Sequence, residues 1–138
     1  MAVVTRAEAF LVDVAVEQAR TDAVQAFLSQ ETVFVEVSTG GSGLGYSYTI
    51  GTGGSSVVAL LRDHLLPRLV GCDSRLVEPI WRDLFAITRA TTVGAITSLA
   101  LAAVDTALWD LKRRRAGEPL WRVAGGFRST TPKAAVCT

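Results

Sequence analysis

The residues that could do acid–base or metal chemistry are few and lie far apart. His64 is the sole histidine, the cysteines are Cys72 and Cys137, and Asp105 and Asp110 lie on one predicted helix. Their five-residue spacing turns a helix by about 140°, so the two carboxylates do not share a face as a catalytic pair. No His and Cys spacing fits a metal site. We expect His64 to pack at the edge of an apolar helix face, and Asp105 to pair with a backbone or arginine group.

A glycine-rich segment, Gly51-Thr52-Gly53-Gly54-Ser55, precedes a predicted helix. Backbone N–H groups at a helix N-terminus can bind phosphate, but a nucleotide-binding P-loop also needs a lysine followed by serine or threonine, which this segment lacks. Two interpretations stay open. One is a turn followed by a helix with Ser55 or Ser56 as its N-cap. The other is an active-site loop in which glycines let a ligand approach the backbone closely.

Composition excludes several classes of protein. The 138 residues include 14 Lys and Arg and 13 Asp and Glu, without the basic excess of a nucleic-acid-binding domain. The apolar fraction of 49% excludes intrinsic disorder. The uncharged apolar stretch 90–104 is shorter than the roughly 20 residues of a membrane-spanning helix. With two cysteines and no disulfide framework, we expect a cytoplasmic protein with neither nucleic acid nor membrane as a partner.

The first half of the chain has the patterns of strands. Alternation near residues 9–14, β-branched residues at 32–38 and the glycine cluster Gly40–Gly43 predict a three-stranded antiparallel meander over residues 5–49. The segment Glu17–Gln30 is predicted to be a long loop between the first two strands, and long ordered loops in compact domains are usually functional.

The second half has helical periodicity. It predicts helices at about 55–66, 75–90 and 94–115, and one helical turn at 120–123. Gly117 is the expected left-handed cap of the third helix. That helix is apolar nearly all round, so we expect it to be buried on several sides. The fold class is therefore α+β, a three-stranded antiparallel meander followed by a three-helix bundle.

The last predicted element is a strand at Lys133–Thr138, with no neighbour to pair with in the sequence. The chain is therefore expected to stop at the start of a second structural unit. The apolar third helix and this strand are expected to be buried against that unit.

The third helix and the turn after it contain a long motif. It is AVDTALWDLK at 103–112, AGEPLWR at 116–122, and then Gly125-Gly126. Together with the meander, the strand Glu31–Ser38 and the segment Gly45-Tyr46-Ser47-Tyr48, it resembles the N-terminal domain of the mandelate racemase/muconate lactonizing enzyme group of the enolase superfamily. The resemblance extends over essentially the whole chain.

The resemblance implies an enolase-like N-terminal capping domain at 1–126, with 127–138 as the linker and first strand of a truncated (β/α) barrel. In this family the barrel binds Mg²⁺ and supplies the Lys and His acid–base residues, so this chain has no catalytic or metal residue of its own. The implied enzyme, a racemase or dehydratase, removes the proton α to a carboxylate. Its substrate is a small carboxylic acid such as a sugar acid, its partner is its own barrel, and it is a homo-oligomer.

The resemblance also implies two loops that close over the substrate, at Glu17–Gln30 and Tyr46–Gly54. Arg20, Val24 and Phe27 of the first loop and Tyr48 of the second are the expected substrate contacts. Thr138 would face the site from the end of the first barrel strand. Arg20 takes a place that is often apolar in mandelate racemase, which favours a more polar acid. The alternative function is a stand-alone, non-catalytic module that docks a partner through the apolar third helix.

Overall fold

Three antiparallel strands form a sheet in the order β1-β2-β3. The computed structural model describes residues 2–21, 23–24, 26–49 and 51–126. The strands are β1 (Arg6–Thr21), β2 (Ala26–Ser38) and β3 (Ser42–Thr49). The glycine cluster forms the tight β2–β3 connection, and its register sets Ser38 opposite Ser42 and Glu31 opposite Thr49. The predicted meander is confirmed.

The first predicted loop is wrong, because most of Glu17–Gln30 is strand. Pairing of β1 with β2 runs from Arg6↔Ser38 to Thr21↔Ala26, with an irregularity in which residues 16–19 of β1 lie opposite Leu28 alone. A ribbon that extends beyond the sheet core exposes both faces to water, so its sequence has none of the apolar alternation from which a strand is predicted. The second predicted loop is also shorter, since β3 continues through Thr49.

The first helical stretch changes its winding halfway along. α1 (Gly54–Leu60) continues through a π-helical segment (Leu61–Leu65) into α2 (Leu66–Leu69). The wide turn comes just before Pro67, which has no N–H to donate to the preceding turn. His64 lies on this segment and is exposed, because Leu61 and Leu65 take the core-facing positions. The prediction that His64 packs at the edge of the apolar helix face is wrong.

The remaining helices follow the prediction closely. α3 (Val77–Thr88) leads into a 3₁₀ turn (Arg89–Thr91), and then come α4 (Ala95–Ala116) and α5 (Leu120–Val123). Gly117 ends α4 with φ of 66°, the left-handed conformation that favours glycine. Within the described residues, no helix is both long and apolar enough to cross a bilayer.

The core lies between the sheet and the helices. From β2, the side chains of Val33, Val35 and Val37 are completely buried on the helical side. From α4, the buried side chains include Ala100, Ala103, Val104, Ala107 and Leu108. Much of the apolar run of α4 is therefore buried within this domain, against the sheet, α1 and α3. Ala102 is exposed, and Leu99 and Trp109 are half-buried. Burial of this remaining face against a second unit or a partner stays a prediction.

Candidate functional site

One end of the sheet presents the tip of the β1–β2 hairpin. In the backbone register, Arg20 lies opposite Phe27. The next pair, Thr21↔Ala26, is the last pair of the hairpin. Val24 lies in the turn with 90% of its surface exposed. The three residues predicted from the first loop are therefore brought together at this tip. Thr138 and the predicted last strand lie outside the described residues.

Tyr48 lies near the same end of the sheet, on the face turned away from the helices. It pairs with Thr32 of β2, and half of its surface is exposed. On this outer face, aromatic rings follow one another across the strands. The ring centroids of Phe10 and Phe34 are 5.4 Å apart, and those of Phe34 and Tyr46 are 6.3 Å apart. The Tyr48 ring lies on this same outer face, and its role as a substrate contact stays a prediction.

The connection from β3 to α1 is the second loop at this end. Gly51 and Gly53 have φ of 77° and 97°, conformations that favour glycine. Gly53 is the N-cap of α1 and has no side chain to donate or accept a capping hydrogen bond. The prediction of a serine cap is therefore wrong, because the helix begins before Ser55 and Ser56 can act as caps. The prediction of a glycine loop beside a helix N-terminus is confirmed.

The Glu31 carboxylate accepts a hydrogen bond at the start of α1, as an N-cap side chain would. Its Oε2 accepts hydrogen bonds from the Gly54 backbone N–H at 2.7 Å and from the Thr49 hydroxyl at 2.9 Å. A carboxylate at the first turn of a helix is also favoured by the helix dipole. Sequence analysis missed Glu31. The signal that could have found it is the glycine turn, because a β2–β3 hairpin centred on Gly40 sets Glu31 opposite Thr49.

The two aspartates of α4, Asp105 and Asp110, are surrounded by side chains and backbone of the domain itself. Burial raises the pKa of Asp105, and a hydrogen bond from the Trp109 side chain opposes that effect. Neither an arginine nor a backbone N–H of the described residues acts on its pKa, so the expected pairing is wrong. Asp110 is 92% buried and accepts hydrogen bonds from the Leu44 backbone N–H at 3.0 Å and from Arg113 and Arg114 at 2.6 Å each. It attaches the edge of β3 to α4.

The described part of the domain offers no cluster of metal ligands. Across residues 2–21, 23–24, 26–49 and 51–126, no three His, Cys, Asp or Glu side chains are close enough together to hold a metal ion. The described residues thus do not fit a Mg²⁺ site. The hairpin ribbon and the glycine loop extend from the same end of the sheet.

Comparison with known proteins agrees with this geometry. Residues 2–125 match the family model for the mandelate racemase / muconate lactonizing enzyme N-terminal domain. The 3,6-anhydro-alpha-L-galactonate cycloisomerase of Streptomyces coelicolor is 40% identical over 101 residues, which are 73% of this chain and 28% of that protein. A D-mannonate dehydratase of Novosphingobium aromaticivorans is 41% identical over 97 residues, 69% of this chain and 23% of that protein.

A solved structure has the same architecture. The crystal structure of a racemase from Streptomyces coelicolor A3(2) with bound magnesium has a TM-score of 0.87 and 33% identity, covering 91% of this chain and 36% of that one. The chain spans about a quarter of the length of the curated relatives it matches. On the strength of the family match and the shared fold, the chain belongs to the mandelate racemase/muconate lactonizing enzyme family of the enolase superfamily and corresponds to its N-terminal domain.

Proposed function

We propose that this chain is the substrate-specificity capping domain of a Mg²⁺-dependent enzyme that removes the proton α to the carboxylate of a sugar acid. The reaction is dehydration or racemisation. The observation that supports this most directly is that the hairpin ribbon and the glycine loop both extend from the same end of the sheet. Two relatives are named for the sugar acids 3,6-anhydro-alpha-L-galactonate and D-mannonate, and the racemase structure contains magnesium.

We also propose the organisation of the whole enzyme. Residues 1–126 form the capping domain, 127–138 are the linker and first strand of a (β/α) barrel, and the enzyme is a cytoplasmic homo-oligomer. Mg²⁺ and the acid–base residues belong to the barrel, which in (β/α) barrels places catalytic groups at the carboxyl ends of its strands. Sequencing the gene beyond the codon for Thr138 and measuring sedimentation velocity of its product test these two points.

Proton abstraction can be tested before the substrate is known. The full-length enzyme is incubated in D₂O with a panel of aldonic and aldaric acids, and ¹H NMR follows loss of the α-proton signal and formation of 2-keto-3-deoxy product. We expect one or more acids to react when Mg²⁺ is present and to stop reacting when EDTA removes it. A complete enzyme that leaves every acid in the panel unchanged would contradict the proposed function.

Arg20 is proposed to contact the hydroxyl or carboxylate groups of the acid, together with Val24, Phe27 and Tyr48, while Thr138 faces the same site from the barrel. A charge-assisted hydrogen bond contributes about 1.5–3 kcal/mol. Arg20→Ala in the full-length enzyme should therefore lower kcat/KM for the best polyhydroxy acid about 10- to 100-fold. Arg6→Ala is the matched control, because Arg6 pairs with Glu8 at the other end of β1. Unchanged activity of Arg20→Ala on all polyhydroxy acids would rule out the contact.

A further inference from the structure

A cavity of about 310 Å³ lies between α3 and α4. Four of its lining residues come from α3 and two from α4: Val77, Glu78, Trp81, Arg82, Asp105 and Trp109. Ligand pockets in proteins usually measure about 300–1,000 Å³, so this α3–α4 cavity has the size for one side chain or one small molecule. Its lining has two carboxylates and one guanidinium, a balance that favours a cation over an acid.

Asp105 is the half-buried carboxylate of this cavity. Burial raises its pKa, and a hydrogen bond from the Trp109 side chain opposes that effect. Two cations are near, Arg82 in the lining and Lys112, whose Nζ lies 4.4 Å from the centroid of the Trp109 ring. Neither of them acts on the pKa of Asp105. Within the described residues, this carboxylate is therefore partly removed from water without a counter-charge, which a cationic ligand would supply.

Two indole rings form the aromatic part of the lining. Trp81 is 39% exposed, and its ring stacks on that of Phe85 with the centroids 5.0 Å apart. Indole is the aromatic group that attracts cations most strongly. A guanidinium stacks on aromatic rings, is weakly hydrated and donates paired N–H groups to a carboxylate, whereas an ammonium is a compact, strongly hydrated charge. The lining therefore fits a guanidinium better than an ammonium group.

The surface next to the cavity is apolar. Leu76, directly before α3, has 53% of its surface exposed. Ala102, one turn before Asp105 on α4, is exposed as well. Exposed apolar surface beside a binding cavity is typical of contact with another protein, whereas a free amino acid in the cavity would leave that surface in water.

We propose that the α3–α4 cavity binds an arginine side chain of a protein surface that packs against the face of α4 with Ala102 and Trp109. The guanidinium pairs with Asp105 and stacks on Trp81, and Glu78 adds a second negative charge at the exposed edge of the cavity. Because the occupant is a cation, this inference does not depend on the sugar acid of the proposed function.

NMR of the ¹⁵N-labelled 138-residue chain tests the site, with N-acetyl-L-arginine methylamide as the probe at constant ionic strength. The indole N–H signals of Trp81 and Trp109 should shift and saturate with the probe, while that of Trp121, on α5, should not move. N-acetyl-L-citrulline methylamide has the same shape without the charge and should bind at least about tenfold more weakly. Asp105→Asn should weaken binding of the arginine probe by at least about tenfold as well.

Asp83→Asn is the matched control, because Asp83 is an exposed aspartate of α3 outside the cavity lining, and it should change the affinity less than about twofold. Absence of a saturable shift in the wild type would overturn the site. Equal affinity for the arginine and citrulline probes, or unchanged affinity in Asp105→Asn, would overturn recognition of the charge. Tighter binding of free L-arginine than of the blocked probe would overturn a protein arginine as the occupant.

The comparison of probes uses the wild-type chain alone, so it decides the inference even if Asp105→Asn does not fold. Since no activity is measured, its failure and failure of the proposed function are distinguishable.

Discussion

Replacing Asp110 with alanine is expected to lower the free energy of unfolding by about 3 kcal/mol, because it removes the acceptor of three hydrogen bonds at once. The Leu44 N–H, on the edge of β3, would lose its partner, and the guanidinium groups of Arg113 and Arg114 would lose their counter-charge. Removing one partner of a fully buried ion pair costs about 3–5 kcal/mol. The two arginine side chains here are 35% and 54% exposed, so water compensates part of that cost.

Urea unfolding at about pH 7 measures this effect. Asp83→Ala is the matched control, because Asp83 is an exposed aspartate on α3, and surface substitutions of this kind stay within about 0.5 kcal/mol. A loss in Asp110→Ala no larger than in the control would show that the attachment of β3 to α4 does not depend on this carboxylate.

The same substitution should change how stability depends on pH. Burial raises the pKa of Asp110, but the hydrogen bonds from Leu44, Arg114 and Arg113 outweigh it, so its pKa lies below the ordinary value. A depressed pKa contributes stability above the unfolded-state pKa of about 3.9 and loses it as the pH falls through the folded-state value. The difference between wild type and Asp110→Ala should therefore shrink below about pH 4.

Asp73 also has a lowered pKa, so the stability of the wild type alone would not isolate the contribution of Asp110. The hydrogen bonds from the Arg75 side chain and backbone lower the pKa of Asp73 to about 2. Both wild type and variant keep this pair, so its contribution cancels from their difference. A difference in stability that stayed constant from about pH 7 to about pH 2 would contradict the assignment to Asp110.

Local sequence patterns predicted those strands and helices that are specified by residues within the same segment of the chain. The valines of β2 alternate because one face is completely buried, and α4 could be delimited because Gly117 has to adopt a left-handed conformation at its end. The hairpin ribbon had no such pattern. Its strands pair with each other beyond the core, so backbone hydrogen bonds rather than buried side chains specify it.

The candidate site was harder to predict than the fold, because its geometry depends on contacts between distant segments. The family resemblance pointed to both segments, although most of the first is strand. Glu31, Thr49 and Gly54 meet only once strand register and helix packing are known. Helix capping by Ser55 or Ser56 was the natural local prediction. It failed because a carboxylate from another strand already accepts the hydrogen bond at the start of the helix.

The contact between β3 and α4 gives the largest expected effect. Gly45 is buried on β3, and a Cβ there would overlap the Ala103 carbonyl oxygen and the Ala107 backbone nitrogen. Overpacking of a core usually costs about 1–3 kcal/mol when side chains can rearrange. Here the obstacles are backbone atoms of a helix, which cannot rotate away. Gly45→Ala is therefore expected to cost more than about 3 kcal/mol, a large part of the stability of a small domain.

Circular dichroism and urea unfolding of Gly45→Ala measure this cost, with Gly40→Ala as the control. A Cβ added at Gly40 would meet no atom within 4 Å, so this substitution should change stability by no more than about 0.5 kcal/mol. Adding Ala107→Gly to Gly45→Ala separates the two kinds of obstacle. It removes a side-chain contact at 3.0 Å but leaves both backbone atoms in place, so we expect no rescue. Recovery of wild-type stability in the double variant, or a loss below about 1 kcal/mol in Gly45→Ala alone, would show that β3 and α4 can separate to admit a methyl group.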